Sequence, residues 1–101
     1  MAHSKLNTVI AKDLPEKTGV YYFLNHEKEI IYIGKSKNIK NRVIAHLNDS
    51  SYKENELKTQ VESIDYELTG SELIALLLES DEIKKHKPLF NRRQRRAVDK
   101  W

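Results

Sequence analysis

Residues 19–34 read Gly-Val-Tyr-Tyr-Phe-Leu-Asn-His-Glu-Lys-Glu-Ile-Ile-Tyr-Ile-Gly, two β-rich runs divided by a polar stretch. Val20–Leu24 and Ile30–Ile33 are dense in β-branched and aromatic residues, which favour a pleated, half-buried backbone. The polar Asn25-His26-Glu27-Lys28 between them makes a turn, so the segment reads as an antiparallel hairpin. It contains no Asn-Gly or Asp-Gly pair, which leaves the turn type open. Pro15 and Gly19 bracket the entry, and Gly34 follows the second strand directly.

Downstream of Gly34 the period changes. Ser36 or Asn38 can cap a helix whose apolar positions Ile39, Val43 and Leu47 recur every four residues, ending near Asn48. A second helix is expected from Tyr52 to about Val61, although Leu57 and Val61 are a thin apolar face. Ile64–Leu68 alternates with period two and predicts a third strand with one buried face. Thr69 with Glu72 three residues on resembles a capping box, and a helix then runs to about Lys87, where Pro88 stops it. The order β-β-α-α-β-α predicts an α+β fold: a small, mainly antiparallel three-stranded sheet covered by helices. Residues 1–13 read as a lead-in, 14–93 as one domain and 94–101 as a basic tail.

Composition narrows the class. The chain has 101 residues, 39% hydrophobic and 33% charged, which suits one soluble globular domain with a single core. Its longest apolar run, Leu73–Leu78, is far short of the ~20 residues of a membrane span, and no signal peptide is visible. Without cysteine there is no disulfide, thiolate zinc site or cysteine nucleophile. The expected location is the cytoplasm, with no membrane partner.

The net charge is only +3, but the charges are segregated. Gly34–His46 carries Lys35, Lys37, Lys40 and Arg42 with no acid, and Lys84–Arg96 carries seven cations with no acid. Glu54–Glu82 holds nine carboxylates against Lys58 alone. Two basic blocks on a nearly balanced chain fit a phosphate backbone, the alternative being a solvated basic tail.

Three residue types resist a purely structural reading. Helical geometry puts Glu79 about 60° from Leu76 and about 40° from Ile83, inside an apolar stripe of Leu73, Leu76, Leu77 and Ile83. A carboxylate there needs a cationic side chain, a proton, a bound cation or a position at the stripe's edge. Arg42 lies one turn before His46 on the same helix face; its guanidinium suits a phosphate, or Glu79 itself. A lone histidine such as His46 is more often packed than catalytic. Tyr21 and Tyr32, one on each strand, would ordinarily be packing residues, yet pairing across the hairpin can bring both hydroxyls to one end of the sheet. There Gly34 permits close backbone approach, and Lys35 with the following helix start offers a cation and free amides.

Taken in order, Gly19-Val20-Tyr21, Tyr32-Ile33-Gly34-Lys35, Arg42, Glu79 in Leu-Leu-Leu-Glu and Pro88-Leu89-Phe90-Asn91 resemble the GIY-YIG endonucleases. The spacing is most similar to the UvrC-type excision-repair domain, over about residues 14–93. The resemblance implies a DNA-cutting domain with one divalent ion, Mg2+ or Mn2+, held by Glu79. It implies Arg42 on the scissile phosphate, Tyr32 or Tyr21 orienting or deprotonating the attacking water, Lys35 assisting electrostatically and Asn91 ordering the site. A free tyrosine, with its pKa of ~10, is a poor base, but nearby cations favour its phenolate, so activity is expected to rise with pH. Lys35, Lys37, Lys40, Arg42, His46, Arg92 and Arg93 are the expected DNA contacts, with Arg95 and Arg96 beyond them, tracking the backbone without reading sequence.

The resemblance covers one domain of UvrC-type proteins, so the chain is expected to be either an excised catalytic module, the preferred reading, beside a repair protein or an exonuclease domain, or a small stand-alone member of the family. The stretch Thr69–Glu79 is similar to a UvrC-type domain fused to a polymerase III epsilon-type exonuclease. Two rivals remain: a nucleic-acid-binding module that does not cut, and an interaction domain in which Arg42 and Glu79 form a structural ion pair.

Overall fold

The computed structural model describes residues 13–49 and 51–92, so the expected contacts Arg93, Arg95 and Arg96, the first twelve residues of the lead-in and the tail lie outside the described residues. Strand β1 (Gly19–Leu24) lies at the centre of the sheet, with β2 (Ile30–Ser36) on one side and β3 (Ser63–Leu68) on the other, both antiparallel to it. Helices α1 (Ile39–Asn48) and α2 (Tyr52–Gln60) separate β2 from β3, and α3 (Glu72–His86) follows β3. The expected β-β-α-α-β-α order and antiparallel sheet are therefore present.

The hairpin turn is organised by Asn25, whose Oδ1 accepts from the backbone N–H groups of Glu27 (2.9 Å) and Glu29 (3.0 Å). An asparagine that bonds its own downstream backbone does the work expected of an Asn-Gly pair. β2 does not stop before Gly34 but continues through Lys35 to Ser36, because Gly34 pairs with Tyr21 and Ser36 with Gly19. Asn38 rather than Ser36 is the N-cap of α1, its side chain accepting from the Asn41 N–H at 3.0 Å.

The central strand divides two cores. Tyr21, Phe23 and Tyr32 pack on one face with Ile39 and Val43 of α1, together with Leu57, Val61 and Phe90. Val20, Tyr22 and Ile33 pack on the other with Ala75 of α3, flanked by Leu78 and Ile83. The thin face of α2 is enough because Leu57 and Val61 are both deeply buried.

Three expectations about β3 and α3 are corrected. β3 is an edge strand whose residues 65–68 are all exposed, so its alternation does not mark a buried face; only Ile64 joins a core. Ser71, not Thr69, caps α3, accepting from the Ile74 N–H at 3.2 Å, while the Thr69 hydroxyl donates to the Ser71 carbonyl. The stripe of Leu73, Leu76 and Leu77 faces solvent, at 64%, 47% and 54% exposure. A small residue lets a helix approach a sheet closely, and α3 is docked through Ala75, which turns the leucine-rich arc outward. Glu79, about 40° from Ala75, is still on the inward side, for a different reason than its leucine neighbours implied.

Candidate active site

The register that pairs Tyr21 with Gly34 and Phe23 with Tyr32 puts both tyrosines on the α1 face of the sheet, diagonal to each other, with ring centroids 6.2 Å apart. Gly34 is required here: a Cβ at that position would land on the Tyr21 hydroxyl and ring. The space left by the missing side chain is thus the seat of the Tyr21 hydroxyl.

α1 closes over the pair. His46 is buried, its Nε2 lies 2.8 Å from the Tyr21 hydroxyl, and its ring stands edge-on to Tyr21, Tyr32 and Phe23 with centroids 5.3–5.8 Å apart. His46, expected among the DNA contacts, is thus packed against Tyr21 in the interior of this cluster. Arg42, one turn earlier, is exposed and close enough to bond the Tyr21 side chain.

Burial pushes the Tyr21 phenol well above its ordinary pKa of 10, and the neighbouring Tyr32 adds to this; Arg42 pulls the other way without prevailing. At Tyr21 desolvation of the anion outweighs the pull of one solvent-facing guanidinium.

Glu79 approaches from the opposite face of the sheet, on α3. It is half-buried, and burial raises its carboxyl above the ordinary value while Lys35, at the end of β2, partly offsets this. Among the described residues no ion pair or hydrogen bond engages the Glu79 side chain, so the Arg42–Glu79 pair considered from sequence is not formed. A half-desolvated carboxylate without a protein partner fits a bound cation. No group of three or more metal-ligating side chains converges among the described residues. That matches an ion such as Mg2+, which keeps several waters and uses one or two carboxylates.

Asn91 holds the site from the outer edge of β2. Its Oδ1 accepts from the Ile33 N–H at 2.7 Å and its Nδ2 donates to the Ile33 carbonyl at 2.8 Å, so one side-chain amide satisfies the strand as a neighbouring strand would. The segment Tyr32–Gly34 is thereby fixed on both sides. Pro88, fully buried, and Phe90 anchor the turn that delivers Asn91.

The remaining expected contacts are dispersed. Lys35 and Lys37 line a cavity of about 350 Å3 between the end of β2 and the start of α3. Lys37 also pairs with Glu72 at 3.6 Å, an exposed pair of the kind that contributes at most ~1 kcal/mol. Lys40 lies on the first turn of α1, and Arg92 is exposed beside Asn91. Tyr22, in the core on the α3 face, lies near Glu82, and burial first of all pushes its pKa up to about 12.

A family model for the UvrC-like GIY-YIG domain matches residues 17–92. The chain belongs to this family. It is 42% identical over 80 residues to UvrABC system protein C of Dictyoglomus thermophilum and 44% identical over 100 residues to that of Bdellovibrio bacteriovorus. Those alignments cover 79% and 94% of this chain but 13% and 16% of the relatives, so the chain spans about a seventh of their length. Among solved structures, the magnesium-bound GIY-YIG N-terminal endonuclease domain of UvrC from Thermotoga maritima superposes with a TM-score of 0.77 at 31% identity. The match covers 83% of this chain and 93% of that one. The Thermotoga domain is also bound to its catalytic divalent cation in point variants that change an asparagine to alanine or single tyrosines to phenylalanine. The three-stranded antiparallel sheet with its helices is accordingly the GIY-YIG fold, and this is a GIY-YIG endonuclease domain.

Proposed function

We propose that this GIY-YIG domain hydrolyses DNA phosphodiester bonds with one divalent cation held at Glu79, as the cutting module of a UvrC-like excision system. The observation that carries the reading is the half-buried Glu79 carboxylate without a protein partner, on a fold whose solved relative binds magnesium. That the Thermotoga domain keeps its cation without an asparagine amide or a tyrosine hydroxyl supports a carboxylate as the group that matters.

Bound at Glu79, such a cation supplies Lewis-acid stabilisation of charge on the phosphate oxygens. The chain's own residues do the rest. Arg42, exposed at the mouth of the tyrosine cluster, holds a non-bridging oxygen through its forked donors. Lys35 adds positive potential between β2 and α3. Tyr21, buried against His46, positions its neighbours, and Tyr32 beside it orients the attacking water and accepts its proton. Asn91 keeps Tyr32–Gly34 in register while this happens. Lys37, Lys40, Arg92 and Arg93 track the backbone without reading bases.

Incubating the domain with supercoiled, nicked and branched DNA, with magnesium and with a chelator, tests this reading. Metal-dependent strand breaks, weakened in Arg42→Lys, are the expected outcome. Binding without breaks on every substrate would instead favour a non-cutting nucleic-acid module. A fusion to a polymerase III epsilon-type exonuclease concerns the surrounding protein; a longer open reading frame that encodes one would support it.

A further inference from the structure

Among the described residues two non-glycine positions have positive φ, Lys28 at 67° and Lys87 at 48°. Backbone of this hand crowds a Cβ, and glycine or asparagine is its usual occupant. Lys28 closes the β1–β2 turn and Lys87 caps the C-terminus of α3, yet both line one cavity of about 590 Å3. Arg92 lines it too. All three side chains are exposed, and among the described residues no ion pair engages them.

The other charged groups around the cavity do not cancel these cations. Glu29 is its single acid, and that carboxylate accepts from Asn25 Nδ2 at 3.0 Å. His86, also in the wall, lies 3.5 Å from Glu82. The cavity begins at Ile30 and Ile31 of β2, the strand that carries Tyr32 and Lys35 to the candidate active site. From Ile30 to Lys35 is about 17 Å along an extended strand, or about five base steps of duplex at 3.4 Å each.

We propose that this cavity is a second phosphate-backbone site, in which Lys28, Lys87 and Arg92 hold a DNA strand about five nucleotides from the bond that is cut. The inference rests on the nuclease reading and extends it: the hairpin turn and the end of α3 form a remote anchor that gives the substrate a minimum length on one side of the cut.

The test is duplex binding as a function of salt, with a chelator present so that no cutting occurs, for the K28N/K87N double variant. Asparagine tolerates positive φ, so the fold is kept, and a thermal melt checks it. Each lost phosphate contact lowers the slope of log affinity against log salt by about 0.9, so the double variant should lose about 1.8 in slope. Its affinity should fall alike for unrelated sequences, and K28R/K87R should restore it. On duplexes that end within about three pairs of the cut on both sides, the double variant should bind like the unsubstituted domain. Unchanged slope and affinity on long duplexes, or equal loss on short and long ones, would overturn the proposal. So would lost binding to an acidic peptide with DNA binding intact, which would assign the cavity to a protein partner. If the unsubstituted domain neither binds nor cuts DNA, the nuclease reading itself fails; if it does both and the variants match it, only this site fails.

Discussion

At the scale of single residues, Glu79 and Tyr21 are both pushed by burial in the direction that disfavours charge, with different consequences. A carboxyl whose folded pKa is raised stabilises the fold below its unfolded value of 4.5, and that contribution is lost as pH rises through the folded value. At neutral pH the ionised Glu79 is therefore a liability without a cation. Glu79→Gln should raise the metal-free melting temperature slightly, while magnesium should stabilise the unsubstituted domain and leave the variant unmoved. Melts with and without magnesium check both, and a large metal-free loss would mean a structural ion pair instead. Tyr21 is buried as the neutral phenol, so its contribution to stability declines as pH rises above its ordinary value of 10. Tyr21→Phe should lose about 0.5–1.5 kcal/mol with the His46 bond, yet show a shallower alkaline loss of stability, measured by denaturation from neutral pH to pH ~11.

At the scale of elements, the fold rests on how two edges of the sheet are managed. β2 is closed by a single amide. Asn91→Ala would orphan two buried backbone groups of Ile33, a loss of about 1–3 kcal/mol for each. Denaturant titration reads that loss, and cutting should fall together with stability because Tyr32 and Gly34 lose their register. α3 teaches the opposite lesson. Its outer leucines are not core, so Leu73→Gln and Leu77→Gln should each change stability by no more than about 0.5 kcal/mol, where a buried leucine would have cost several. The hairpin, α1 and the element order were legible because local propensity and period suffice for them. Which face of α3 meets the sheet was not, because Ala75 carries no strong apolar signal and wins by being small enough to let the backbones approach. Likewise the Gly34 motif was legible as a motif, while its physical purpose, clearance for the Tyr21 hydroxyl, required the strand register.

For the whole molecule, Tyr21, Tyr32, Arg42 and His46 gather on the α1 face, and Glu79 with Lys35 lies on the α3 face. The sequence showed these residues without showing which face each belongs to, or that His46 is buried, because burial is not written in a lone histidine. About a seventh of the length of its UvrC relatives is present here. The most direct test of the central claim is the cutting of supercoiled DNA in magnesium by the unsubstituted domain and Glu79→Gln side by side. Strand breaks from the first, abolished by the chelator, and none from an equally folded second are the predicted result. Equal cutting by both, or none by either, would contradict it.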